Sequence, residues 1–164
     1  MIIQQIFISS GHNYFGHAGR PPDDFLLQEV EKIECVAGHG IRGDRFYDHK
    51  DDYHGQITFF SRETFDALQM RFPDVDKSAG VLRRNVIVSG VDLNSLVGSE
   101  FELQGVRFLG TDHCRPCYWL DTAFAPGTKH ALEGNGGLRA RILTDGWLAI
   151  GPAELVVAQR ELAL

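Results

Sequence analysis

The sequence predicts a mainly β protein, a β-barrel or sandwich with a few helices, and three observations lead to this prediction. Short segments rich in β-branched and aromatic residues recur along the chain. Turn-like glycines separate them, and the chain has 18 glycines in all. The regular alternation of strands and helices that produces a doubly wound parallel sheet is missing.

The predicted strands are short and lie between glycine-containing turns. Residues 2–8 predict a first strand, whereas the apolar spacing of residues 25–36 fits either a strand or a helix. The clearest helix begins after Ser61, a good N-cap residue, and runs to Phe72, where Pro73 ends it. Further strands are predicted over residues 56–60, 85–89, 100–103, 106–111, 138–143 and 154–158.

The composition indicates one globular domain spanning residues 1–164. A hydrophobic content of 43% and a charged content of 23% are typical of a soluble protein, and no apolar run approaches the roughly 18 residues of a membrane-spanning helix. The N-terminus lacks the basic region of a secretory signal, and three cysteines are too few for a disulfide framework. We therefore expect a cytoplasmic protein with at least some reduced thiols and no membrane association.

The charged residues point to a small anionic ligand. The formal net charge of -6 argues against nucleic acid as a partner, because an acidic surface repels the phosphate backbone. Yet 12 of the 16 cations are arginines, whose planar fork suits phosphate or carboxylate groups. Any one arginine alone also fits a solvated surface. Several of them, however, cluster along the chain: Arg42/Arg45, Arg83/Arg84, Arg115 and Arg139/Arg141.

The predicted strand at residues 138–143 carries two arginines on one face. Because successive side chains of a strand alternate, its apolar residues point to one face while Arg139 and Arg141 share the other, about 7 Å apart. Both guanidinium groups can therefore face one pocket.

Residues 38–43, GHGIRG, match the glycine pattern of dinucleotide-binding folds, but the context differs. In those folds an amphipathic helix follows the third glycine, whereas here the polar, turn-like DRFYDHKDDYHG follows. We therefore reject a nicotinamide site and predict a tight turn with positive φ at glycine. The His and Asp residues of this segment fit no common metal-loop spacing, so a solvated loop is favoured over a divalent metal site.

The segment CRPC at residues 114–117 has three interpretations. A redox pair like the C-x-x-C of thioredoxin-like proteins belongs in a βαβ setting, which this chain lacks. A zinc site needs two further ligands, and only Cys35 and scattered histidines are available. A single functional thiol is favoured by the nearby Arg115 and His113, because positive charge stabilises a thiolate. Two packed cysteines without chemistry are the plain alternative.

Five segments together resemble the MOSC domain, a family named from the C-terminal part of molybdenum cofactor sulfurases. Their order and spacing match over about residues 25–158. The segments are GIRGDRF (40–46), QITFFSRETF (56–65), RRNVIVSGVDLNSLVGSEFELQGVRF (83–108), CRPCYWLD (114–121) and GNGGLRARILTDGWLAIG (134–151). The resemblance implies a mixed β-barrel with a few short helices.

The resemblance also implies a working thiol. The family's key cysteine follows a proline, which makes Cys117 either a persulfide carrier, as in sulfurases, or a molybdenum ligand, as in amidoxime-reducing relatives. A thiolate suits both roles, because it attacks sulfane sulfur and is a soft metal ligand. Cys114 is an extra thiol that either resolves a modified Cys117 by forming a disulfide or simply packs.

The implied cofactor is molybdopterin, an anionic pterin that binds molybdenum. Asp44 and Arg45 match the family's GDR turn, and we interpret them as structural, an internal ion pair or turn clasp. The expected cofactor-binding residues are Arg84 and Asn85 of the R-x-N element, Thr111 and Arg115 beside the cysteines, and Arg139 and Arg141 for the phosphate.

Two functions are left open by the resemblance. In one, the chain holds molybdopterin through Cys117 and reduces N-hydroxylated compounds with electrons from a partner reductase. In the other, Cys117 takes sulfur from a cysteine desulfurase as a persulfide and delivers it to a cofactor-assembly partner. The arginines favour the first, because a bare carrier needs no anionic ligand. Pyridoxal phosphate is not expected, since the aminotransferase-like half of full sulfurases is missing, as is the N-terminal barrel domain of amidoxime-reducing relatives.

Overall fold

The computed structural model describes residues 1–14 and 16–158, and the elements counted here are those of this part of the chain. It contains three α-helices, α1 (Arg62–Arg71), α2 (Trp119–Ala123) and α3 (Thr128–Ala131), and two short 3₁₀ helices at Ala79–Leu82 and Leu93–Leu96. The strands are β1 (Ile2–Ser9), β2 (Leu27–Val30), β3 (Lys32–Val36), β4 (Gly40–Ile41), β5 (Ile57–Ser61), β6 (Val86–Ser89), β7 (Glu100–Leu103), β8 (Val106–His113), β9 (Leu138–Ile142), β10 (Gly146–Ala149), β11 (Gly151–Pro152) and β12 (Leu155–Val157).

Two sheets make up the fold. In the described residues, nine strands form a mixed sheet with the order β11-β1-β6-β5-β9-β8-β7-β12, and β2 pairs with β1. The pair β5 and β6 is parallel, while the other neighbours in this sheet are antiparallel. The remaining three strands form a small sheet with the order β10-β3-β4. The prediction of a mainly β, mixed fold with a few short helices is confirmed.

Most of the predicted elements are present, within a residue or two at each end. The ambiguous segment 25–36 forms β2 and β3, both strands. Helix α1 begins after Ser61, whose hydroxyl accepts a hydrogen bond from the Thr64 N–H at 3.1 Å, and ends just before Phe72 and Pro73. The elements that the sequence did not predict, such as β4, β11, α2 and α3, are two to five residues long, too short to show a periodic pattern. None of the helices in residues 1–14 and 16–158 has the length and apolarity to cross a membrane.

The main hydrophobic core lies between the two sheets. Ile33 and Cys35 of the small sheet belong to the same buried cluster as residues of β5 to β9 in the large sheet. At its centre the ring of Phe59 meets the rings of Phe101 and Phe108 edge-on, at centroid distances of 5.8 and 5.6 Å. Edge-to-face aromatic contacts of this kind add to the free energy of apolar burial.

The outer face of the large sheet is only partly covered. Phe60 and Ile87 point to this face and form a second buried cluster with Leu68 of α1 and Leu120 of α2. Strand β5 is therefore buried on both faces along ITFF, a segment that is apolar except for Thr58. Outside the area covered by the helices, the cross-strand neighbours Thr58 and Arg139 share this outer face, and a cleft lies over them.

Replacing Phe59 by alanine is expected to lower the free energy of unfolding by about 3–5 kcal/mol, because it removes the central ring of the main core and leaves a cavity. Urea unfolding followed by circular dichroism measures the change. The control is Met70→Ala on α1, where the side chain is 82% exposed and a change within about 0.5 kcal/mol is expected. Equal effects of the two substitutions would contradict the assignment of the core.

Candidate functional site

A cleft of about 370 Å³ lies on the uncovered outer face of the large sheet. Five strands that are neighbours in this sheet, β1, β6, β5, β9 and β8, each bring a residue to it. His12 follows β1, Arg84 precedes β6, Thr58 lies in β5, Arg139 lies in β9, and Cys114 follows β8. The loop between β4 and β5, the segment after β1 and residues 115–119 supply the remaining walls. The cleft thus combines residues that are up to 127 positions apart, from His12 to Arg139.

The cleft is cationic. Among its described lining residues there is no Asp or Glu, and five are arginines: Arg45, Arg83, Arg84, Arg115 and Arg139. A cluster of cations on a concave surface attracts an anion, since field lines concentrate in a cleft with low-dielectric walls.

Three of these arginines have no carboxylate partner within the described residues. Arg83 donates to the Gly11 carbonyl at 2.8 Å, and Arg84 donates to the Gly136 carbonyl at 2.9 Å. The Arg139 Nη1 atom lies 3.3 Å from the His54 Nε2 atom. Burial, together with the neighbouring Arg45, lowers the pKa of Arg83 to about 10. The cleft therefore holds positive charge that no protein anion within it neutralises.

Asp44 and Arg45 form the internal ion pair that the GDR turn predicts. Their side chains are 0% and 7% exposed, and the Arg45 Nη1 atom lies 3.2 Å from the Asp44 Oδ1 atom. The same oxygen accepts the Ser9 N–H at 3.1 Å, and Arg45 also donates to the Arg83 carbonyl at 3.1 Å. Burial lowers the pKa of Arg45, while Asp44 acts in the opposite direction. The sequence did not indicate that Arg45 would line the cleft as well.

The structure gives the three cysteines three environments, and all three are free thiols. Cys117 and Cys114 both line the cleft, with Cys117 exposed and Cys114 buried. Cys35 lies in the main core, where burial raises the pKa of its thiol to about 12. Cys117 is therefore the thiol that a ligand or a partner reaches first.

The 134–137 turn holds the cysteine segment against the sheet. The Cys114 N–H donates to the Gly137 carbonyl at 2.8 Å. A Cβ atom at Gly136 would lie 1.9 Å from the Cys114 carbonyl oxygen, so only glycine permits this approach. The backbone of Gly136 also accepts the hydrogen bond from Arg84, which links the turn to β6.

Asn85 and Thr111 lie beneath the cleft rather than on its wall. The Asn85 side chain accepts hydrogen bonds from the Thr58 N–H at 3.0 Å and hydroxyl at 2.9 Å, and donates to the Phe7 carbonyl at 3.2 Å. The Thr111 hydroxyl donates towards the carbonyl oxygens of His54 and Arg139. In this structure both residues tie neighbouring segments together, and their contact with a cofactor stays a prediction.

Only one of the two arginines of β9 lines the cleft. Arg139 faces it, whereas the Arg141 Nη2 atom lies 3.0 Å from the Asp52 Oδ2 atom. The two side chains share a strand face as predicted, but the loop before β5 brings Asp52 to Arg141. The expectation that both guanidinium groups line one pocket is therefore met for Arg139 alone, and cofactor binding by Arg141 stays a prediction.

Several lining residues were not among the predicted site residues. Tyr14 packs against Trp119 at a ring distance of 5.1 Å, and Trp119 packs against Tyr118 at 4.9 Å. These rings form an aromatic wall beside Cys117. The only sequence signals were the YW pair directly after CRPC and the Arg83/Arg84 doublet. His12, Tyr14 and Tyr53 lie in irregular segments, where no periodicity marks a side chain as facing a cleft.

The glycine-rich segment forms the predicted tight turn. Gly38, Gly40 and Gly43 all have positive φ, at 75°, 126° and 85°. His39 contacts Asp48 in this region, with 2.5 Å between the ring nitrogen and the carboxylate oxygen. No group of three or more His, Cys, Asp or Glu side chains in the described part of the chain is arranged to hold a metal ion.

The three cysteines are expected to react with iodoacetamide in the order Cys117, Cys114, Cys35. Cys117 is exposed and should react before the buried Cys114. Cys35 should react last, because its raised pKa leaves little of the reactive thiolate. Mass spectrometry of peptides from a time course measures each rate, with urea-unfolded protein as the control for equal access. Alkylation of Cys35 as fast as that of Cys117 in the native protein would contradict these environments.

Comparison with known proteins agrees with this fold. The family model of the MOSC domain matches residues 41–158. The solved structure of the YuaD protein from Bacillus subtilis superposes with a TM-score of 0.69 at 19% identity, covering 97% of this chain and 100% of that one. YiiM from Geobacillus stearothermophilus gives 0.66 at 17% identity, covering 98% of this chain and 77% of that one.

YiiM from Escherichia coli is similar to the same degree, with a TM-score of 0.62 at 16% identity, covering 94% of this chain and 70% of that one. No curated protein matches the sequence. At these identities the solved structures establish the fold alone, whereas the family model covers well over half of the chain. This chain therefore belongs to the MOSC domain family.

Proposed function

We propose that this protein binds the molybdenum cofactor, molybdopterin, in the arginine-lined cleft, and that Cys117 is its metal-binding or reactive thiol. One observation carries the proposal: an exposed thiol and five arginines line the same cleft, and no carboxylate does among the described lining residues. A ligand that combines an anionic phosphate with a metal that accepts thiolate needs both features.

The residues of the cleft fit such a cofactor. Arg84 and Arg139 meet no carboxylate in the described residues, and their recorded partners are backbone carbonyls and a histidine ring, so their positive charge is available to a phosphate. The rings of Tyr14 and Trp119 offer an apolar surface against which a flat pterin can pack. Cys117 offers one sulfur ligand at the exposed side of the same cleft.

When bound, molybdenum would supply the redox chemistry that reduces an N-hydroxylated compound. The chain's own part is to bind and to orient: Cys117 holds the metal, the arginines hold the phosphate, and the aromatic wall excludes water. A partner reductase must approach the cleft to deliver electrons. Arg115, at 84% side-chain exposure, and Tyr118, at 54% exposure, flank Cys117 on that side and are the residues such a partner would meet.

A sulfur carrier is the second candidate, and the exposure of Cys117 favours it. In this function the Cys117 thiolate attacks the terminal sulfur of a persulfide on a cysteine desulfurase. The donor's own thiolate leaves, so one sulfur atom moves to Cys117 without net oxidation. Exposure lets a protein donor reach the thiol, and nearby Arg115 stabilises the attacking anion.

Near-stoichiometric molybdenum is expected in protein purified anaerobically from a molybdate-supplied, cofactor-competent host. Cys117→Ser should lose most of it, because the hydroxyl is a poor ligand for a soft metal. Elemental analysis for molybdenum and zinc gives the readout, and Cys35→Ala is the matched control that removes a thiol outside the cleft.

Three other results of this elemental analysis would contradict the first candidate function. Equal loss in the Cys117 and Cys35 variants would contradict a single working thiol. Molybdenum absent from all samples, with one added sulfur atom on Cys117 after incubation with a desulfurase and cysteine, would replace the first candidate by the carrier. Zinc alone would overturn both.

Arg84→Gln combined with Arg139→Gln is expected to lower the pterin content of purified protein and to weaken cofactor binding by about 10²- to 10⁴-fold, the cost of two charge-assisted hydrogen bonds. The difference between the native protein and this variant should shrink as ionic strength rises, because salt screens the arginine–phosphate attraction that only the native protein has. The control is Arg62→Gln combined with Arg107→Gln, which removes two charges from exposed ion pairs that do not line the cleft. If the Arg84/Arg139 double variant keeps its pterin content, these arginines do not bind the cofactor phosphate.

A further inference from the structure

His12 lines the cleft three residues after the end of β1, and the proposed function gives it no role. Its ring meets the ring of Phe46 edge-on at 4.8 Å and lies 5.6 Å from the ring of His49. The Arg45 guanidinium lies over the same Phe46 ring at 4.8 Å. The imidazole is thus held in an aromatic cluster at the arginine-rich side of the cleft.

The charged and titratable groups that face His12 come from two other segments. The loop after β4 contributes Asp44, Arg45 and His49, and the turn before β6 contributes Arg83. Asp44 is already bonded, because its two carboxylate oxygens accept from the Ser9 N–H, from Arg45 and from the Phe46 N–H. Among these groups Arg45 has the largest effect on the imidazole, His49 and Asp44 follow with opposite signs, and Arg83 adds the smallest effect, in the same direction as Arg45.

This environment keeps the imidazole of His12 neutral at neutral pH while the cleft holds no anion. Burial is the largest cause and Arg45 the second, and both lower the pKa of His12 below its ordinary value. An anion that enters beside Arg45 and Arg83 reverses the second cause, because its negative charge offsets theirs.

We propose that His12 is part of the anion-binding site of the cleft and takes up a proton as the anion enters, so that the imidazolium, Arg45 and Arg83 hold the anion together. The proposal rests on the proposed function in one respect, that the cleft accepts an anionic group. It adds a binding residue from outside residues 41–158, the part of the chain that the family model matches.

The sign of the pH dependence follows from linkage. If the anion favours protonated His12, then protonated His12 favours the anion by the same factor. Affinity for a non-titrating anion should therefore be highest below the pKa of His12 in the free protein, and it should fall as the pH rises from there through the higher pKa of His12 in the complex. Histidine changes charge between about pH 5 and pH 8, which sets the range to examine.

Sulfate is the probe, because its charge stays constant over this range. Trp119 lies in the cleft and reports binding by fluorescence, and Trp147→Phe removes the other tryptophan, which is exposed on β10. In this background sulfate should bind severalfold more tightly near pH 5.5 than near pH 8, because the imidazolium adds a positive charge to the site. His12→Gln should abolish this difference while it retains binding near pH 8.

His54→Gln is the matched control, because the pKa of His54 is also lowered by burial and by Arg139 although His54 does not line the cleft. It should keep the full pH dependence. A second measurement needs no variant: the NMR titration of the His12 Cε1 proton should show a higher pKa with saturating sulfate than without it.

The proposal is overturned if native sulfate affinity does not change with pH, if His12→Gln keeps the pH dependence, if His54→Gln removes it, or if no sulfate binds at all. These results are separate from a failure of the proposed function. Molybdenum retained through Cys117 together with pH-independent sulfate binding would overturn only the role of His12. If sulfate binding depends on pH through His12 but the protein never retains molybdenum, the proposed role of His12 stands and the proposal of a molybdenum cofactor is overturned.

Discussion

The buried ion pair between Asp44 and Arg45 joins the parts of the chain that form the cleft. The carboxylate of Asp44 accepts from the Ser9 and Phe46 N–H groups as well as from Arg45, and Arg45 continues to the carbonyl of Arg83. One buried carboxylate thus connects the end of β1, the loop after β4 and the turn before β6. A charge without solvent is tolerated only when it is fully paired, so these three segments must stay together for the fold to be stable. The shape of the cleft depends on that constraint.

The position of the cleft follows from what covers the outer face of the large sheet. The helices bury Phe60 and Ile87, while the neighbouring area around Thr58 and Arg139 carries polar side chains that they do not cover. Asn85 joins β1, β5 and β6 directly beneath this area through its side-chain hydrogen bonds. The sheet therefore forms the floor of the cleft, and loops form its walls.

The electrostatics of the cleft oppose those of the whole protein. The chain carries a formal net charge of -6, yet its cleft is lined by five arginines and, in the described residues, by no carboxylate. An acidic exterior disfavours long polyanions, whereas a cationic cleft of about 370 Å³ favours a small one. The thiols also differ in their surroundings, since Cys117 is exposed at this cationic cleft while Cys35 is buried in the main core. Both properties suit a small anionic cofactor that is also bound through sulfur.

The sequence by itself determined the fold class, the helix after Ser61, most strands and the family, because these depend on periodicity, capping and motif spacing within short stretches of chain. It also singled out Cys117, Arg84, Arg115 and Arg139, since they belong to or flank family motifs. Only the tertiary structure decided which side chains share the cleft. Arg141 meets Asp52, Asn85 meets Phe7, and His12 meets Phe46, pairs separated by 34 to 89 residues. Such contacts arise when distant segments pack together, and no local pattern in the sequence records them.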